Sequence, residues 1–440
     1  MAIKVCKFGG TSMADANVIA SVKKIIESDK ERRVVVVSAP GKRYSGDKKI
    51  TDLLYACFNE LKSTGGIEKN FASVRARFTG IVKQLDLKLD IGAVLDVTEK
   101  RIIEEGSIDF TASRGEYLSA VIMAEALGAK FVDAENVVFF DGHGQLDGDK
   151  TYKAVSSAVA GTKRAVLPGF YGVDIHGKVK TFSRGGSDIS GAIAARAVNA
   201  NVYENWTDVS GFLACDPRIV DNPEQIKSLS YKELRELSYM GADVLHSESI
   251  FPVRKANIPI LIKNTFRPED AGTTIVPTSR FIQSGNVVTG IAGKKNFTVI
   301  YVEKSLMNSE IGFMRKVLSV IEDEGIPLEH IPSGIDTMSL VIPGDALDKE
   351  RLTRITDGIK KAVEPDVLRV IEKVALIATV GHGMSSSVGT SARLFKAMAE
   401  AGINVKMIDQ GTSELNVVVG VKDDDYESCI KAIYKEFFKK

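Results

Sequence analysis

The chain has no long apolar run: nothing in its 440 residues reaches the roughly 18 consecutive apolar positions that a membrane-spanning helix needs. Its first residues, MAIKVCKFGG, lack both an apolar segment and a small-residue cleavage site, so no secretory leader is expected and the cytoplasm is the expected compartment. An excess of one charge is missing too: 58 Lys and Arg face 57 Asp and Glu, a net +1. That balance supplies no field for nucleic acid or an anionic membrane, although a local basic pocket is still allowed. There are only 4 cysteines, Cys6, Cys57, Cys215 and Cys429, spaced too widely for a metal knuckle or a CxxC redox pair. They read as small buried hydrophobes in a reducing compartment. The 5 histidines, His143, His176, His246, His330 and His382, show no HExxH spacing, so no metal ligands are expected among them. The GxxxxGK[ST] phosphate loop is also absent.

What is present is an ordinary soluble composition, 44% hydrophobic and 26% charged, in a chain long enough for two or three domains. The first part alternates strand and helix signals. Ile3–Phe8 is a short apolar strand, and Val18, Val22, Ile25 and Ile26 recur at helical spacing. Val34–Val37 is a β-branched run suited to a parallel strand buried on both faces. Phe131–Asp133, Ala165–Phe170, Val202–Trp206 and Pro259–Ile262 are further strand candidates, with helices expected over Gly115–Leu127 and Ser187–Val198. This order predicts a three-layer α/β domain over residues 1–280. Gly, Pro, Thr and Ser gather at Asp270–Ser284, the expected boundary.

Residues 281–440 hold an internal repeat. Gly312-FMRKVLSVIEDE-Gly325-IPLEHI resembles Gly389-TSARLFKAMAEA-Gly402-INVKMI at an offset of 77 residues. The same offset pairs Val299–Val302 with Leu376–Thr379, and Met338–Ile342 with Leu415–Val419. Each unit reads strand, helix, strand, strand, helix, and Val367–Lys373 closes the first as a ferredoxin-like βαββαβ. The first unit spans about 296–373. The second, about 374–440, ends on an amphipathic helix, Tyr426–Phe438, with no strand to close it. The segment 287–292 (Val287–Ala292) has the length to fill that gap, so the two units are expected to interlock.

Four motifs carry chemistry. Lys7-Phe8-Gly9-Gly10-Thr11-Ser12 follows the first strand and precedes a helix. Glycines there let backbone N–H groups approach a phosphate, the helix N-terminus adds positive potential, and Lys7 supplies a mobile cation. The same pattern also suits a plain strand-to-helix turn with a surface lysine. Ser183-Arg184-Gly185-Gly186-Ser187-Asp188 precedes a helix of small residues. Arg184 suits a bidentate carboxylate and Asp188 suits a lysine or metal, while the alternative is a helix capped by Ser187. In Ser113-Arg114-Gly115-Glu116 the carboxylate suits a free α-amino group, unless Ser113 and Glu116 form a capping box. Thr207-Asp208-Val209-Ser210-Gly211, with Asp216-Pro217-Arg218 after it, falls at a strand's C-terminal end, where nucleotides dock in open α/β sheets and where turns are equally common.

Together these motifs resemble the aspartate kinase family over essentially the whole chain. KFGGTS, SRGE, SRGGSD, TDV followed by DPR, and a tandem C-terminal pair of ACT domains stand in the family order. The resemblance implies an amino-acid kinase fold followed by two interlocked ACT domains. It also implies transfer of the γ-phosphoryl of ATP, with Mg²⁺, to the β-carboxylate of L-aspartate, the first step toward lysine, threonine and methionine. By the same resemblance, Lys7, Gly9, Gly10 and Thr11 meet the ATP phosphates, and Thr207, Asp208 and Arg218 the nucleotide. Ser38, Thr51, Glu116, Phe170, Arg184 and Ser187 form the aspartate pocket, and Asp188 is the organising acid. The chain departs from the family at Leu213, where many members have Tyr, at Asp243, where they have Lys, and at Ser183 in place of Gly. The first two bear on the nucleotide.

The nucleophile is a carboxylate with a reference pKa of about 4, so no general base is required. The work is to bring two anions together and to stabilise the moving phosphoryl group. ACT pairs imply an amino-acid effector, lysine favoured over threonine, met by Met307, Glu329 and Ser333 of the first unit and Asn404 and Gln410 of the second. They also imply a homodimer or homotetramer. The alternatives are a related kinase acting on another acidic amino acid and a non-catalytic amino-acid sensor. No dinucleotide-binding domain follows residue 440, so a fused homoserine dehydrogenase is not expected.

Overall fold

Short β-branched runs build the first sheet. Its strands and their neighbours are β1 (Lys4–Phe8), β2 (Arg32–Val37), β3 (Lys130–Phe131), β4 (Ala165–Pro168), β5 (Tyr171–Val173), β6 (Val179–Thr181), β7 (Val202–Thr207), β8 (Ser228–Ser230), β9 (Ile260–Asn264) and β10 (Thr273–Val276). Eight of them form one sheet in the order β3-β4-β2-β1-β7-β9-β10-β8. The strands from β3 to β9 in that order run parallel, and β10 and β8 reverse. β5 and β6 make a separate hairpin. The computed structural model describes residues 2–183, 185–242, 244–245, 249–281 and 286–439.

Pleating sends alternate residues of β1 to opposite faces. Cys6 and Phe8 join a buried cluster with helices Ala16–Glu27, Ile50–Thr64, Glu68–Gln84, Ile91–Glu105 and Ile108–Leu127. Lys7 faces the other way, toward helix Gly186–Ala197, which packs on β1, β2 and β7. The result is the expected three-layer α/β arrangement. β10 lies inside the stretch expected to be linker. Its four β-branched residues outweigh the neighbouring Gly272 and Pro277, which only delimit the strand.

The described residues fall into two units. One holds residues up to 212, 227–234 and the described part of 243–281; the other holds 213–226, 235–242 and the described residues from 286 onward. A single boundary near residue 280 does not anticipate the two short segments that group with the second unit, and helix Tyr231–Tyr239 is divided between the units.

The second unit has five antiparallel strands, β11 (Gly290–Glu303), β12 (Thr337–Pro343), β13 (Val367–Val380), β14 (Met407–Asp409) and β15 (Asn416–Lys422), in the order β12-β11-β13-β15-β14. The repeat suggested separate strands on either side of residues 296 and 374. Instead β11 and β13 are each continuous over 14 residues and belong to both repeats. Residues 290–294 pair with 376–380 of the second repeat, and 297–303 pair with 367–374 of the first. The register shifts between Lys294 and Phe297, near Asn296 and Lys373, both of which have positive φ. The interlock is therefore made by strand continuity. The repeated glycines Gly312 and Gly389 are the left-handed N-caps of helices Phe313–Asp323 and Thr390–Glu400, at φ 81° and 87°. The strand expected after Gly325 is reduced to two isolated bridges onto β12, at His330 and Ser333. Among the described residues no helix is long and apolar enough to cross a membrane.

Candidate functional site

β1, β2 and β7 end together. Phe8 is level with Val37 and with Trp206, and the chain leaves the sheet at Gly9, Ser38 and Thr207. This is the C-terminal edge, where ligands bind in open α/β sheets. The Gly9 N–H donates to the Trp206 carbonyl at 3.1 Å and the Ser38 N–H to the Phe8 carbonyl at 3.1 Å.

The glycine loop differs from its expected form. Gly10 opens a short 3-10 turn, Thr11–Met13. The α-helix begins only at Ala16, where the Asp15 carboxylate accepts from the Val18 N–H at 3.0 Å. Its N-terminus is already occupied by an acid, so it adds no positive end to the loop. The loop is instead held tightly against the chain after β2. The Gly41 N–H donates to the Gly10 carbonyl at 2.8 Å, and a Cβ at Gly41 would stand 2.8 Å from that carbonyl. Arg77, buried in a helix far along the chain, donates to the carbonyls of Ala14 and Gly41, each at 3.2 Å, and to Asp47 at 2.6 Å. No local sequence signal marks Arg77 as part of this framework.

Helix Gly186–Ala197 brings the second motif. Its N-cap is Gly185, at φ 61°, and no side chain caps it, so Ser187 is not a cap. Ser187 instead meets Ser38, hydroxyl to hydroxyl, at 2.5 Å. Two glycines permit the approach: a Cβ at Gly169 would stand 2.7 Å from the Ser187 Cβ, and one at Gly186 would stand 2.3 Å from the Phe170 ring. Phe170 is itself held at φ 79°, with its N–H donating to Ser190 at 2.9 Å. One residue beyond Ser187, the Asp188 Oδ1 lies 2.6 Å from the Lys7 Nζ. Asn205 on β7 donates to the same oxygen at 2.9 Å, and its own Oδ1 is 3.5 Å from the Lys7 Nζ. Sequence reading passed over Asn205, which looks like any strand residue until β7 is known to lie beside β1.

Glu116 lies two turns inside helix Ile108–Leu127, whose cap is Ser107. Ser113 donates to the Phe110 carbonyl at 2.6 Å, so the capping-box alternative fails. Gly115 lets the helix touch the chain after β2, since its Cβ would lie 2.7 Å from that of Ala39. Glu116 is 5% exposed. The Ala39 N–H supports its carboxylate, but Oε2 has no hydrogen-bond partner. Burial pushes its pKa up to about 8. The neighbouring Arg114 is engaged elsewhere: it pairs with Glu135 at 2.9 Å among the rings of Phe110, Tyr117 and Tyr171. Thr51 is partly buried in the first turn of helix Ile50–Thr64, whose Ile50 N–H donates to the Pro40 carbonyl at 3.1 Å.

Lys7, Gly9, Gly10, Ser38, Phe170, Ser187 and Asp188 are thus brought together, with Glu116 and Thr51 behind the β2 loop. Thr207 and Asp208 stand at the end of β7, joined hydroxyl to carboxylate at 3.2 Å. Arg218 groups with the second unit, exposed and paired with Asp216 at 2.6 Å. Arg184 and Asp243 lie outside the described residues. In the second unit Met307 is buried in the core of the first repeat, while Ser333, Asn404 and Gln410 are exposed. Tyr239 hydrogen-bonds the Glu329 side chain. His330 and Asp409, one residue from Glu329 and Gln410 respectively, meet at 2.5 Å and join the two repeats.

The profile of the amino acid kinase family matches residues 2–264, and an ACT-domain profile matches residues 377–437. The chain is 38% identical over 451 residues to aspartokinase 3 of Bacillus subtilis strain 168, covering 99% of each. It belongs to the aspartate kinases. Among solved structures this kinase resembles the aspartate kinase of Clostridium acetobutylicum, with 50% identity, a TM-score of 0.92 and 100% of each chain covered. It shares the fold of Escherichia coli aspartokinase III, solved with aspartate and ADP, at 24% identity and a TM-score of 0.78, over 99% of this kinase and 100% of that chain.

Proposed function

We propose that this kinase transfers the γ-phosphoryl of ATP to the β-carboxylate of L-aspartate, giving ADP and 4-phospho-L-aspartate. The observation that carries the substrate is the unpartnered, buried Oε2 of Glu116, close behind the Ser38–Ser187 pair. A buried carboxylate oxygen without a donor calls for a cation, and the α-ammonium of a free amino acid supplies one. An N-acylated amino acid would bring a neutral amide there, which argues against the related kinases that act on such substrates. A sensor without chemistry would have no use for the Lys7–Asp188 pair at the strand ends.

In this reading the amino group of aspartate is assigned to Glu116 and a carboxylate to Arg184, with Ser38, Thr51, Phe170 and Ser187 completing the pocket. Thr11, Thr207, Asp208 and Arg218 are assigned to ATP. Magnesium, when bound, would be held chiefly by the phosphate oxygens of ATP, its natural ligands, and would neutralise part of their charge. Among the described residues no group of three or more His, Cys, Asp or Glu could cage an ion. Lys7 and the uncapped N–H groups at Gly186–Asp188 offer positive charge to the phosphoryl group as it moves. The β-carboxylate attacks already ionised, so no proton needs to be removed.

The second unit is proposed as an amino-acid sensor, with lysine favoured over threonine, and as the site of assembly. Ile311 and Val388 occupy equivalent positions of the repeat and are 98% and 104% exposed. Two fully exposed aliphatic side chains at matching places suit burial against a second copy. The products would serve the synthesis of lysine, threonine and methionine, in the cytoplasm. The test is an ADP-release assay with MgATP and a panel of amino acids and N-acetylated amino acids. Turnover with aspartate alone is expected, and turnover with N-acetylated substrates but not aspartate would overturn the reading.

A further inference from the structure

We infer that Asn205 is a positioning residue for phosphoryl transfer, holding Asp188 in place while Lys7 moves onto the transferring phosphate. The inference rests on the reading of Lys7 and Asp188 just given. Three elements meet here: β1 brings Lys7, β7 brings Asn205 and helix Gly186–Ala197 brings Asp188. Lys7 and Asn205 are partners in the register of the sheet, so their relative height is fixed by the backbone. Two donors converge on one atom, Asp188 Oδ1: Lys7 at 2.6 Å and the Asn205 amide at 2.9 Å. The other carboxylate oxygen accepts from no described residue.

A lysine clamped at that distance on a carboxylate has part of its charge cancelled. When it swings toward a phosphate it leaves the carboxylate short of a donor in a largely buried place, which is unfavourable. Asn205 meets both difficulties. Its amide shares Oδ1, so Asp188 keeps a donor and an orientation after Lys7 departs. Its carbonyl, 3.5 Å from Nζ, gives the lysine an intermediate resting point. Asn205 is 2% exposed and cannot turn away. Tyr203, two residues earlier on the same face of β7, donates from its hydroxyl to the Asp188 main-chain carbonyl at 3.1 Å. The strand therefore grips Asp188 by side chain and main chain at once.

The test compares wild type, N205L, D188N and the double variant in steady-state assays with MgATP and aspartate, with melting temperatures measured alongside. N205L keeps the branched outline of the side chain and removes the amide. Its kcat should fall about tenfold with both KM values within about twofold, the magnitude of one charge-assisted hydrogen bond. In the D188N background the same change should cost less than about twofold, because the residue through which Asn205 acts is already altered. Should N205L not fold, N205S takes its place with the same expected pattern. A kcat within twofold of wild type, an equal loss in both backgrounds, or a rise in KM in place of the kcat loss would each overturn the inference. An active wild type with a silent N205L defeats this inference alone. A wild type inactive on aspartate defeats the functional reading beneath it.

Discussion

Lys7 and Glu116 are buried ionisable groups with different partners. Lys7 has its counter-ion in Asp188 at 2.6 Å. Lys7→Ala is expected to lower kcat by roughly 10²–10³, the scale for one preorganised electrostatic group, with an unchanged far-ultraviolet spectrum. Glu116 forms no ion pair among the described residues, and burial raises its pKa to about 8. At pH 6.5 only a few per cent of the free kinase then presents a carboxylate to the substrate's ammonium. The apparent KM for aspartate should fall roughly 25-fold between about pH 6.5 and 8.5, because apparent affinity scales with the competent fraction. Glu116→Gln should bind aspartate weakly at every pH and lose that slope. The linkage sign follows from the same shift: a carboxyl with its folded pKa raised loses stability as pH climbs from about 4.3 to about 8. The melting temperature of Glu116→Gln should therefore exceed that of wild type at pH 9, with the gap closing toward pH 5. A gap independent of pH would mean the carboxyl is solvated.

Glycines show how elements were legible from sequence and where legibility stopped. Gly9, Gly10 and Gly186 drew notice because they sit in short dense motifs after strands. Gly41 and Gly169 did not, because what they permit is a contact with a distant element. Gly41→Ala would press a Cβ onto the Gly10 carbonyl at 2.8 Å. It is expected to cost about 1–3 kcal/mol, the range for overpacking, and to raise the KM for ATP. Gly80→Ala is the control, in the helix Glu68–Gln84 with nothing within 4 Å, and should gain about 0.5–1 kcal/mol with unchanged kinetics. The strands β2, β4 and β9 were readable because parallel buried strands are near-continuous apolar runs, and β1 and β7 because apolar residues bracket their polar ones. β10 was hidden by its Gly and Pro neighbours, and the start of helix Ile108–Leu127 by a capping pattern at Ser113 that the real cap, Ser107, pre-empts. Asn205 and Arg77 were unreadable for a simpler reason. Their importance lies in which element lies beside theirs, and periodicity carries no such information.

At the scale of the whole molecule, the sensing and assembly roles proposed for the second unit can be measured separately. Replacing Ile311 and Val388 together by Asp should shift the sedimentation coefficient toward that of a single chain. Unchanged sedimentation would remove both residues from any assembly surface. Lysine at subsaturating aspartate should inhibit the wild type, and Glu329→Ala should weaken that inhibition tenfold or more, about 1.4 kcal/mol of coupling. Absence of inhibition by either lysine or threonine at millimolar levels would leave the second unit as an assembly module only. The continuous strands β11 and β13 bear on how this unit comes into being. Residues 290–294 find their partners on β13 at 376–380, a closure of more than eighty residues. Such distant closures carry an entropic cost before any contact rewards it, and they slow folding. During synthesis the first repeat would emerge with half of β11 unpaired, an open edge of the kind that invites wrong partners. Neither repeat can be excised as an autonomous module, and a nick within β13 would release both at once. Refolding of the second unit should thus proceed in a single slow phase, with amide protons of both repeats becoming protected together.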